Sequence, residues 1–115
     1  MDDPRLPEPL RARIAELEAR PALEKVRHFL RGYVADSDGL DEIRDEVRRS
    51  AQTSTHFLRL DLAAFESVLA ETHSPGTLLR LVEGDGNRGL DDSTDAGAAA
   101  YLGALADLLR EVIGE

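Results

Sequence analysis

The chain has 115 residues, 42% of them hydrophobic and 32% charged, with a formal net charge of −9. That balance describes one ordinary globular domain and excludes a disordered chain or two independent cores. With no cysteine and no tryptophan, it also excludes disulfides, thiolate metal sites and a cysteine nucleophile.

Aromatic residues make up only 4% of the chain, so the core rests on leucine, alanine and valine, which favours helix-on-helix packing over sheets. The N-terminus reads Met-Asp-Asp-Pro-Arg and lacks the basic-then-apolar order of a secretory signal. No apolar run approaches the roughly 18 residues that span a bilayer. A cytoplasmic location is expected, with no membrane partner.

In chain order, Leu6, Leu10, Ile14 and Leu17 recur at helical spacing behind Pro7 and Pro9, predicting a helix over 8–20 that Pro21 ends or kinks. This first segment (1–21) is read as an extension of a core spanning 22–113. Leu23, Val26, Leu30 and Tyr33 or Val34 predict a second helix over 22–34. The Asp36-Ser37-Asp38-Gly39 break offers side-chain caps for the next helix, whose face is Leu40, Ile43, Val47 and Ala51.

A helix end is expected within Ala51–Thr55. The following helix carries Leu58, Leu62, Phe65, Val68 and Leu69, with Asp61 a plausible cap; a weak strand-like patch overlaps it at Phe57–Leu62. Ser74 as cap and Pro75 in the first helical position predict a short helix through Leu78, Leu79 and Val82. Gly84, Gly86 and Gly89 exclude regular structure there. A last helix is expected from Ser93–Asp95 to about Ile113, with Gly97 and Gly103 on a thin face that admits a close neighbour. The fold class is therefore all-α: a single-domain bundle or array of about five to six helices.

Chemistry-bearing motifs are few. An EF-hand loop beginning at Asp85 places Gly89 and Leu90 at its fifth and sixth positions; one beginning at Asp36 places Asp41 at its sixth. Both fail the required pattern. The glycine loop lacks the Gly-Lys-Ser/Thr ending of a phosphate cradle. His28, His56 and His73 are scattered; His28 is expected on a polar face, and His73 beside its proline turn reads as a turn or capping residue. Asp91 and Asp92 are adjacent and precede a helix start, where acids are stabilising without any acid–base role. No metal, cofactor or catalytic residue is assigned, and the chain is not expected to be an enzyme.

What remains is acidity, unevenly spread. Through Leu60, eleven basic residues meet twelve acidic ones; from Asp61 on, only Arg80, Arg88 and Arg110 oppose eleven. Such a field repels nucleic acid and attracts a basic partner. Two clusters stand out as partner-binding candidates: Glu83, Asp85, Asp91, Asp92 and Asp95, and Asp36, Asp38, Asp41 and Glu42. Tyr33, Phe57 and Tyr101 are candidate anchors. Solubility alone is the competing explanation of the charge.

The order of segments resembles immunity proteins of bacterial contact-dependent growth inhibition and related polymorphic toxin systems. The matching pieces are Val26-Arg27-His28-Phe29-Leu30-Arg31-Gly32-Tyr33, an acidic break, a helical pair, Pro75-Gly76-Thr77-Leu78-Leu79-Arg80-Leu81-Val82, a glycine-rich turn and an amphipathic C-terminal helix, over about residues 23–113. Where that family often has an Asp-Trp pair, this chain has Val34-Ala35-Asp36. The resemblance implies binding of a cognate protein toxin, often a nuclease, by occlusion or distortion of its active site. The alternative is a helical adaptor or regulatory module, or a homodimer, without a toxin partner.

Overall fold

A computed structural model describes residues 21–115, and the expected helix over 8–20 lies outside these. The described residues form five α-helices and no strand. They are α1 (Ala22–Phe29), α2 (Leu40–Thr53), α3 (His56–Ala70), α4 (Thr77–Arg80) and α5 (Asp95–Gly114). The patch at Phe57–Leu62 is helical, because Leu58 and Leu62 continue into Phe65 at a helical rather than a strand period.

The centre is built from α3 and α5. Helix α3 packs on both α1 and α5, while α5 also carries α2 and α4. At 20 residues, α5 is about 30 Å long and forms the spine. Ala98, Leu102, Leu105, Ala106, Leu108, Leu109 and Val112 of this helix are all buried. They meet Phe29 and Leu30, Ile43 and Val47, Phe65 and Val68, and Leu81 and Val82 in one continuous cluster. Phe65 meets Phe29 edge-on, with ring centroids 5.2 Å apart. No polar or charged residue among those described is fully buried.

Two departures from plain α-helix shape the fold. Helix α1 continues into a π-helical turn at Leu30–Val34, and α4 continues into another at Leu81–Asp85. Each closes with a bond five residues back: Ala35 N donates to Leu30 O at 2.9 Å, and Gly86 N to Leu81 O at 3.1 Å. A Cβ on Gly86 would lie 2.6 Å from Val82 O, so the second turn closes only over a residue without a side chain.

The caps differ from the local expectation. Helix α4 begins at Thr77, after a Pro75–Gly76 turn in which Gly76 has φ +85°. Its cap is not Ser74 but Asp95, which accepts from Gly76 N at 2.7 Å and Leu79 N at 3.0 Å. The α2 start at Gly39 has no side-chain cap; Ser37 Oγ instead donates back to Val34 O at 2.7 Å. Helix α3 starts five residues before Asp61, where Ser54 Oγ accepts from His56 N at 3.1 Å. Helix α5 starts within the expected Ser93–Asp95, with Thr94 Oγ1 accepting from Gly97 N at 3.1 Å.

At its far end α2 is pinned to the last turns of α5. Arg44 Nε meets Glu111 at 2.8 Å and Arg48 Nε meets Glu115 at 2.9 Å. Gly97 is close to its own loop rather than to another helix, since a Cβ there would lie 2.0 Å from Asp92 O; Gly103 faces open space.

Candidate functional site

The two acidic clusters are far apart in sequence, and the loops carrying Asp36–Asp38 and Asp91–Asp92 are joined through Arg88. Arg88 reaches from the loop after the second turn to the end of the first. Its Nη2 donates to Val34 O at 2.9 Å, Ser37 O at 2.8 Å and Ser37 Oγ at 2.7 Å. Asn87 Nδ2 adds a longer bond to Ala35 O at 3.4 Å. Asp36 and Asp38 flank Ser37, while Asp91 and Asp92 follow Arg88 by three and four positions. A sequence separation of 51 positions thus becomes contact between two carboxylate-bearing loops.

Within this surface the nine candidate carboxylates divide by role. Asp85 turns inward: it accepts from Arg27 Nε at 3.2 Å and meets Arg31 Nη2 at 2.7 Å, with its side chain only 18% exposed. Asp95 is the α4 cap, and the backbone N–H groups of Gly76 and Leu79 hold its carboxyl below the usual carboxylate range. These two brace the scaffold. Glu83 accepts from Ser93 Oγ at 2.9 Å, and Asp92 from Thr94 Oγ1 at 2.8 Å. Asp41 pairs with Arg44 at 3.0 Å yet stays fully exposed. Asp36, Asp38, Glu42, Asp91 and Asp92 are exposed.

The anchors also separate. Tyr101 is half-buried beside Arg88, and its phenol is pushed above the ordinary value by desolvation, with Arg88 opposing. Tyr33 is half-buried and shares a 2.6 Å hydrogen bond with Ser50 Oγ. Phe57 is 40% exposed, with His56 edge-on at 5.0 Å.

The histidines do not converge. His28 is exposed, and His73 Nε2 donates to Val68 O at 2.8 Å, closing the end of α3. Among the described residues no group of three or more His, Asp or Glu is placed to hold a metal ion, and no helix is long and apolar enough to cross a membrane.

Arg88 and Asp61 were not among the candidate site residues. Arg88 gave only the signal of a lone cation among acids. Asp61 sits at helical spacing between Leu58 and Phe65, an acid on an apolar face, and that spacing was the readable clue. Burial pushes its carboxyl up to about 7, with Lys25 pulling the other way.

No family model, curated protein or solved structure matches the chain.

Proposed function

We propose that this domain works by binding a basic protein, as an immunity protein that neutralises a bacterial toxin by covering or distorting its active site. The observation that carries the reading is the joining of the Asp36–Asp38 and Asp91–Asp92 loops through Arg88, on a chain of net charge −9. Carboxylates fixed on braced loops form a preorganised negative surface. Such a surface steers a basic groove, such as that of a nuclease, into contact and weakens as salt screens it. A stable complex then needs on the order of 1,600 Å² of total buried area and a few desolvated anchors. The proposed setting is the cytoplasm.

The test is co-expression with the product of the neighbouring reading frame, expected on this proposal to encode a toxin. The expected result is a salt-sensitive complex and survival of cells making that toxin. Replacing Asp36, Asp38 and Asp91 by Lys should abolish both while leaving the helical circular-dichroism spectrum of the free domain unchanged. Absence of a complex and of protection rejects the toxin reading.

A further inference from the structure

A second surface lies where the C-terminal end of α2 meets the first half of α3. It is an open groove of about 450 Å³ lined by Tyr33, Ser50, Thr53, Phe57, Leu58 and Asp61, among others. Its walls are mostly apolar, and its rim carries hydroxyls. Phe57 and Leu40 are the large hydrophobic side chains most exposed among the described residues. The Phe57 ring meets that of His56 edge-on at 5.0 Å.

We infer that this groove seats an arginine of a partner polypeptide, its guanidinium toward Asp61 and its neighbouring apolar side chains against Phe57 and Leu58. The argument is charge complementarity within an apolar setting. Asp61 is a half-buried carboxylate in the groove wall, and water alone solvates it poorly there. A second cation entering the groove restores what burial removes. Arginine fits better than lysine, because its planar, weakly hydrated guanidinium stacks on aromatic rings and also bonds a carboxylate side-on. Tyr33 and Phe57 supply the rings, while Ser50 and Thr53 offer oxygen acceptors. The groove is open along its length, which suits a chain segment with flanking residues better than an isolated small cation. The inference does not depend on the partner being a toxin.

The test uses the full chain, labelled with nitrogen-15, and a short helical peptide bearing one arginine flanked by leucines. The same peptide with citrulline, and arginine methyl ester alone, are the comparison probes. The arginine peptide should shift the amides of Tyr33, Ser50, Phe57 and Asp61 and bind about tenfold more tightly than the citrulline peptide. Asp61→Asn should remove that difference, and Phe57→Ala should weaken both peptides. No binding, equal affinity of the two peptides, or shifts confined to the acidic loops overturns the inference. Binding of the methyl ester as tight as that of the peptide overturns the polypeptide source. Groove shifts that grow with protein concentration before any peptide is added overturn it in favour of a second copy of the chain.

Discussion

Arg88 Nη2 donates to the backbone carbonyl of Val34 at 2.9 Å, joining the loop after one π turn to the last residue of the other. Asp85 makes the reverse connection by accepting from Arg27 and Arg31. The two turns are therefore cross-braced by charge-assisted bonds running in opposite directions.

Removing Arg88 leaves the Val34 and Ser37 carbonyls without this donor. Arg88→Ala is expected to cost about 2–3 kcal/mol, and Arg88→Lys to recover only part, because a shorter point charge does not span all three acceptors. Urea unfolding followed by circular dichroism measures both. If the Ala variant matches the parent, the clamp has no energetic role.

For Asp61 the sign follows from its raised value of about 7 against an ordinary 3.8. The folded state holds the proton more tightly, so this group's contribution to stability falls as pH rises from about 4 through 7. Asp61→Asn does not titrate. The variant should therefore melt close to the parent at pH 4 and be more stable by about 2–4 kcal/mol at pH 8. Lys25, whose charge pulls the Asp61 carboxyl the other way, is present in both proteins. A gap that stays constant with pH would show that Asp61 is solvated.

Much of this architecture is readable from apolar spacing. The stripes through Ile43 and Val47, Leu58, Phe65 and Val68, and Leu102, Leu105, Leu109 and Val112 predict buried faces, and these residues are core, whereas Leu40, which the same spacing put on the α2 face, is 38% exposed. The π turns are not readable, because one extra residue per turn over five positions merely broadens an apolar stripe. Caps fail where the acceptor comes from far away: a local reading picks Ser74, whereas Asp95 lies 19 positions beyond Gly76. For the same reason the nine carboxylates look alike in sequence. Asp85 differs from Asp91 only because arginines 54 and 58 positions earlier reach it.

Asp95 gives the opposite pH behaviour from Asp61. Its carboxyl is held low by backbone donors at the α4 start. Its stabilising effect is thus present above the ordinary carboxylate value and disappears as pH falls through the lowered one. Asp95→Asn should lower the melting midpoint at pH 7, and the gap should narrow steadily below pH 4. Thermal melts across that range decide it; a gap unchanged in acid excludes the charged cap.

The glycines of the second π turn should not be equivalent. A Cβ on Gly86 would strike Val82 O at 2.6 Å, whereas one on Gly84 meets nothing within 4 Å. Gly86→Ala is expected to cost about 1–3 kcal/mol, while Gly84→Ala should be neutral or stabilise by up to about 1 kcal/mol. Equal midpoints in chemical denaturation would contradict the crowding at Gly86.

The division of labour among the carboxylates also bears on how such a chain diversifies. Asp85 and Asp95 hold the loops, while Asp36, Asp38 and Asp91 decorate them without bracing anything the structure displays. Substitutions at the decorating positions alter the pattern read by a partner at almost no folding cost, so relatives that keep the fold are free to drift there. Bracing positions lack that freedom. Lineages sharing this scaffold should therefore agree at Asp85, Arg88 and Asp95 and disagree around them, with recognition changing faster than architecture.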